Sequence, residues 1–268
     1  MICAKTSLIC CSNMPVYLDH NATSPMHPEV VEAILPFLHH PPGNPSSLHS
    51  DATQVAGKLA IDLSQLDVDA ISFSAHKLRG PQGVGALVVK RKPVRQLISG
   101  GEQENRRRGG TENVAGIVGL GKAAQLAGLE MEQRRHYLGQ LRDVFEARLA
   151  TIPGSVVFGQ QAPRLPNTTY FALPYYHGET LLMEMDRAGF ALSSGSACHS
   201  MVTEPSHVLK AMSIDDSLAL NAIRVSFGMD NSLRDVDLLF AKLQELVNKL
   251  PAVFRQAAVQ KRQLWEFN

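Results

Sequence analysis

Cysteine is scarce in this sequence. Four occur in 268 residues, at Cys3, Cys10, Cys11 and Cys198. None has the C-x-x-C spacing of a zinc or dithiol site, and three crowd near the start. Neither a disulfide framework nor a metal site is therefore expected. Aromatic residues are few as well, at 6%, and 26 Lys and Arg against 25 Asp and Glu leave a net charge of only +1. That balance argues against a broad nucleic-acid surface. Long apolar runs are also missing. None approaches the roughly 20 residues of a membrane span, and residues 1–13 lack the long apolar core of a secretory signal. The expectation is a soluble cytoplasmic chain, with no membrane and no nucleic acid among its partners.

What is present is ordinary globular material, 44% hydrophobic and 19% charged. A chain of this length can bury a core without staples, in one large domain or two modest ones. Residues 1–13 match no period and read as an unstructured leader, and residues 15–25 read as polar and turn-rich. Residues 29–40 read as a helix with Val30, Val31, Ile34, Leu35 and Leu38 on one face. Residues 70–74 and 85–89 read as short buried strands joined by a glycine-rich loop. From 111 to 151 the pattern is helical, expected as two helices broken near Gly128, the second with Tyr137, Leu138, Leu141, Val144, Phe145 and Leu149 as its stripe. Beyond lie strand signals at 155–158, 168–172, 190–193 and 222–227, alternating with helical ones at 179–187 and 206–212. Ser232-x-x-Asp235 resembles a capping box opening a helix with Leu233, Val236, Leu239, Phe240, Leu243 and Val247 on its face. The alternation indicates an α/β chain in two lobes with a seam near residue 130.

Five places can carry chemistry. In Ser72-Phe73-Ser74-Ala75-His76-Lys77 a short apolar strand ends on a lysine at its C-terminal lip, where ligands gather in open α/β sheets. A partly desolvated lysine there can lose its proton and attack a carbonyl; a lone lysine is more often a solvated surface group. Asp51, in Asp51-Ala52-Thr53-Gln54, suits the acid that a pyridoxal-type ring nitrogen needs, or equally a helix cap. Cys198 stands among Gly195, Ser196, Ala197, His199 and Ser200, the surroundings of an exposed loop thiol rather than a core cysteine. Such a thiol can be a nucleophile, a redox sensor or incidental. Arg224 alternates with Ile223 and Val225 on a strand, so it faces either water or a carboxylate that it can clamp in bidentate fashion. The run Arg106-Arg107-Arg108-Gly109-Gly110-Thr111 reads as a solvated loop or as a phosphate site at a helix opening.

Together and in this order, these pieces resemble the cysteine desulfurases of the class V aminotransferase family. Further matching stretches are Val16-Tyr17-Leu18-Asp19-His20-Asn21-Ala22-Thr23, Gly43-Asn44-Pro45-Ser46-Ser47, Gly80-Pro81-Gln82-Gly83-Val84-Gly85, Glu204-Pro205-Ser206-His207 and Ala222-Ile223-Arg224-Val225-Ser226-Phe227-Gly228. The resemblance runs from Val16 to about Leu250. It implies the pyridoxal-phosphate fold type I, aspartate-aminotransferase-like, with a truncated, mainly parallel large-domain sheet and a smaller C-terminal α/β domain. It divides the chain into the leader 1–13, a cofactor-binding domain 14–130 and a small domain 131–268 carrying the cysteine loop. It implies that Lys77 carries pyridoxal 5'-phosphate and moves protons at the substrate. Asp51 would face the ring nitrogen and Gln54 the ring hydroxyl, while Ser74 and His76 would bind the phosphate, with Thr111 of the other subunit of a homodimer. Arg224 would hold the carboxylate of L-cysteine. Cys198 would take its sulfur as a persulfide, releasing alanine and serving an acceptor such as an iron–sulfur scaffold protein.

The chain departs from the family in one place. Only six residues, Pro45-Ser46-Ser47-Leu48-His49-Ser50, separate Asn44 from Asp51. The resemblance implies a long block there, bearing a glycine-rich phosphate loop, a histidine stacked on the ring and an asparagine near the substrate. No apolar strand precedes Asp51 to fix it at a pocket, and a loop holds a carboxylate less tightly than a strand end. Two other readings stay open: a selenocysteine lyase activity, and an inactive remnant that binds family partners.

Overall fold

Asn113 opens the longest element of the molecule. Its side-chain oxygen accepts a hydrogen bond from the Gly116 N–H at 3.0 Å, capping helix α1, Val114–Leu149. In this computed structural model the described residues are 16–20, 24, 26–30, 54–66, 68–90, 96–173, 175–194 and 205–251. The leader 1–13, residues 31–40 of the first expected helix, Asp51 and Cys198 lie outside them.

Helix α1 runs unbroken for 36 residues, so the expected interruption near Gly128 is corrected. A glycine inside a helix costs about 1 kcal/mol relative to alanine. Packing on both sides of it outweighs that cost, because Leu126, Ala127 and Leu138 are all buried. The first half of α1 contributes Leu120, Ala123, Leu126 and Ala127 to a core with Val30, Ala75, Leu78 and Val84. The second half contributes Leu138, Leu141, Phe145 and Leu149 to a larger core with Phe171, Ile223, Val225 and Phe227.

The first core carries strands β2 (Ala70–Ser74) and β3 (Gly85–Val89), paired antiparallel with Ser74 opposite Gly85. Expected as buried, they are only partly so: Ala70 and Ile71 are buried but Val88 is 38% exposed. Among the described residues this sheet has no third strand to cover it. The second core carries β4 (Val156–Val157), β5 (Thr168–Ala172), β7 (Ser193–Ser194) and β8 (Ala222–Ser226) in the order β4-β5-β8-β7, all antiparallel. Within the stretch expected to be turn-rich, β1 (Val16–Tyr17) forms and pairs parallel with β6 (Phe190–Ala191). Leu18 continues β1 into the core at 0% exposure, and Asp19 bridges Ser226 in parallel fashion.

Helices α2 (Gly178–Arg187) and α3 (Leu233–Asn248) cover the second core through Leu181, Met185, Val236, Leu239, Leu243 and Val247. Leu233, expected on the buried face, is 53% exposed, because it stands at the first turn beyond the core's edge. The Asp235 carboxylate accepts from the Ser232 N–H at 2.7 Å and satisfies a donor that the helix leaves open. Asp235→Ala is expected to lower stability by about 1 kcal/mol in urea unfolding. Among the described residues no helix is long and apolar enough to cross a membrane.

Candidate active site

Strand β2 delivers the lysine. It ends at Ser74, and the chain then tightens into a 3-10 turn, Ala75–Leu78, that carries His76 and Lys77. Ala75 and Leu78 anchor the turn in the first core, so His76 and Lys77 stay at its partly exposed rim. Arg79 closes the turn with a left-handed backbone, φ 65°, which reverses the chain for β3. Ser74 occupies the N-cap, yet its hydroxyl does not cap the turn. Burial lowers the pKa of His76, and the charge of Lys77 lowers it further, so the imidazole is neutral at physiological pH.

A second lysine, which inspection of the motifs missed, stands in the same place. Lys58 is 8% exposed and follows Gly57, whose φ of 73° lets the 54–59 turn press against Leu78. A Cβ on Gly57 would stand 2.7 Å from Leu78 Cδ2 and 3.2 Å from Ala127 Cβ. Burial pulls the Lys58 pKa down to about 7, and the charges of Lys77 and then Arg224 push in the same direction. Those contributions place Lys77 and Arg224 each within electrostatic reach of Lys58. Gln54 begins the same turn and is half-buried. The sequence signal for Lys58 was its place four residues after Gln54, next to a glycine.

Arg224 comes from the other core. On β8 its cross-strand neighbours are Tyr170 of β5 and Ser193 of β7, so all three share one face of the sheet. Ile223, Val225 and Phe227 are fully buried on the opposite face, as the alternation predicts. The Arg224 Nη2 donates to Asp19 Oδ1 at 2.8 Å, and its buried Nε has no hydrogen-bond partner among the described residues. Strand β7 ends at Ser194, four positions before Cys198 in sequence, with Ser193 opposite Arg224. Beside this pair His20 is 3% exposed, and burial draws its pKa down to about 4. The Tyr17 carbonyl approaches the ring without reaching hydrogen-bond geometry, which leaves both ring nitrogens unpartnered among the described residues.

The structure thus brings Lys77, His76, Ser74 and Arg224 to one region and adds Lys58, Asp19 and His20. Thr111 does not join them by any described contact. It is exposed, just ahead of the Asn113 cap. The expected roles of Asp51 and Cys198 fall on residues outside those described. Chemically, a strand-lip amine beside a hydroxyl, a neutral imidazole and two further cations suits a ligand with an aldehyde and anionic groups. This donor set fits pyridoxal phosphate, including an Arg224 Nε that still has a donor to give.

Comparison with known proteins agrees with this chemistry. Residues 44–239 match the family model described as aminotransferase class-V. The chain is 41% identical over 210 residues to the cysteine desulfurase IscS of Dictyoglomus turgidum, covering 76% of this chain and 52% of that protein. It is 46% identical over 204 residues to a cysteine desulfurase of Sinorhizobium fredii, with 75% and 53% covered. The NifS-like protein of Rickettsia africae superposes with a TM-score of 0.68 at 30% identity, over 75% of this chain and 53% of that one. The chain spans about half the length of the relatives it matches, and the shared part holds the fold type I α/β framework. By motif order, fold and the 44–239 match together, it belongs to the aminotransferase class-V family.

Proposed function

We propose that the chain is a pyridoxal-phosphate-dependent cysteine desulfurase, converting L-cysteine to L-alanine with the sulfur held as a persulfide on Cys198. The observation that carries this reading is Lys77 at the lip of β2 with Arg224 in electrostatic reach through their common neighbour Lys58. Cytoplasmic location, a homodimer and an iron–sulfur scaffold protein as acceptor belong to the same reading. So does the division into a cofactor-binding part, 14–130, and a small part, 131–268.

Lys77, Ser74, His76, Gln54 and Asp51 would hold the cofactor, joined by Thr111 of a second subunit. When bound, pyridoxal phosphate supplies an electron sink for the carbanion formed at the substrate. Arg224 binds the amino-acid carboxylate and so orients Cα toward Lys77. The amine of Lys77, flanked by Lys58 and a neutral His76, is able to take and return a proton at Cα. Cys198, as thiolate, receives the substrate sulfur on its own Sγ. A sulfur–sulfur bond forms as the Cβ–sulfur bond breaks, and Cβ gains a proton to become the methyl group of alanine. Enzyme thiol plus cysteine gives persulfide plus alanine, so no outside oxidant is needed.

One observation favours a second reading, an inactive remnant that binds family partners. The β2–β3 pair has no third strand among the described residues. A selenocysteine lyase activity would use the same lysine and arginine. Borohydride reduction of the cofactor-treated protein should place the pyridoxyl label on Lys77. L-cysteine should then yield alanine and a persulfide on Cys198, neither of them with Lys77→Ala, and no persulfide with Cys198→Ser. Label spread over many lysines, or alanine no higher than with Lys77→Ala, leaves the remnant reading in place. Faster turnover of selenocysteine than of cysteine selects the lyase.

A further inference from the structure

The second half of one edge of β8 belongs to the segment that follows β1. Strand β7 pairs with Ile223 and Arg224, whereas Ser226 accepts from the His20 N–H at 3.1 Å and donates to the Leu18 carbonyl at 2.7 Å. Leu18 in turn donates to Ala191 at 3.0 Å, and the Tyr17 hydroxyl donates to the Asp19 carbonyl at 2.9 Å. Asp19 is thus fixed by backbone pairing two residues along the strand from Arg224. Its carboxylate meets the guanidinium at 2.8 Å, and each side chain is 14% exposed. The contact is made through Nη2, while the buried Nε is left without a partner among the described residues. A planar guanidinium has more than one donor-bearing edge, and anchoring it at one nitrogen fixes the direction in which the others point.

We propose that Asp19 is the positioning residue of Arg224: it holds Nη2 so that the Nε edge receives the carboxylate of the amino-acid substrate. This rests on the function proposed above only in naming that substrate; the placement of the guanidinium stands on the ion pair itself.

Two measurements test this. In the cofactor-free chain, the Arg224 Nε–H signal in a nitrogen-15 spectrum should shift saturably as acetate is added. In Asp19→Ala the apparent affinity for acetate should fall at least fivefold, and in Asp19→Asn, which keeps the shape, by less. In the cofactor-loaded protein, Asp19→Ala should raise the KM for L-cysteine at least fivefold while kcat changes less than twofold. An Nε–H signal unmoved by acetate in the wild type overturns the proposal. So does tighter acetate binding in Asp19→Ala, which would make Asp19 a competitor of the ligand. Should Asp19→Ala not fold, Asp19→Asn decides by the same shift. Absence of turnover in the wild type counts against the desulfurase reading alone, because the acetate titration needs neither cofactor nor catalysis.

Discussion

Lys58→Met is expected to stabilise the cofactor-free chain at neutral pH by roughly 3–5 kcal/mol. Lys58 is 8% exposed, and burial with two neighbouring cations brings its pKa from 10.5 to about 7. Between those values the unfolded chain holds the proton and the folded chain does not, so stability rises as pH climbs from about 7 to about 10.5. Below about 7 both states are protonated, and folding bears the whole cost of burying the ammonium beside Lys77 and Arg224. Methionine keeps the length and removes the charge. Urea unfolding of both proteins should show the largest gap near pH 6.5 and a much smaller one near pH 10. A gap that is absent at pH 6.5, or equal at both, would mean that the ammonium is not held at this cost. The same substitution should weaken pyridoxal phosphate binding at least tenfold, as a cation kept at the expense of stability is expected to serve an anionic ligand.

Acid should weaken the fold through His20. The ring is 3% exposed and its pKa is lowered to about 4, chiefly by burial, against the attraction of Asp230. The space is closed by Gly228, where a Cβ would stand 2.3 Å from the ring. Above about pH 6.5 the imidazole is neutral in both states and costs nothing. As pH falls toward 4 only the unfolded chain takes the proton, and stability is lost. From pH 7 to pH 4.5 that loss amounts to about 2–3 kcal/mol. His20→Gln should therefore lose less stability than the wild type over this interval by about that amount, read as the difference between their urea midpoints. Parallel acid curves for the two proteins would show that His20 does not titrate in this way.

The parts of the fold read correctly from sequence are those set by local pattern. The strand expected at 168–172 forms over those residues, and the face of α3 is as predicted except at Leu233, where the helix overhangs the core. Strand β1 was illegible because it is only two residues long and pairs with Phe190 and Ala191, more than 170 positions away. Gly128 misled because propensity is local, whereas the continuity of α1 is secured by apolar residues in two separate cores. At the site, Lys77 and Arg224 announce themselves through strand ends and alternation. Lys58, Asp19 and His20 do not, because what marks them is burial beside other charges, which depends on tertiary approach. Family resemblance placed Asp19 and His20 inside a motif without giving either a task.

Because α1 is rooted in both cores, it works as a shared axle about 54 Å long. Apolar packing on both halves stiffens its 36 residues against a sharp kink, so relative movement of Lys77 and Arg224 is expected to be taken up elsewhere. Polar contacts between the described parts include Arg79 to Asp230 at 2.8 Å. With its Asp230 carboxylate about half exposed, such a clasp opens at less cost than the interdigitated side chains along the axle. Motion between the lysine and the arginine is therefore expected to be a rotation about α1, with contacts such as Arg79 to Asp230 setting how far the two can part.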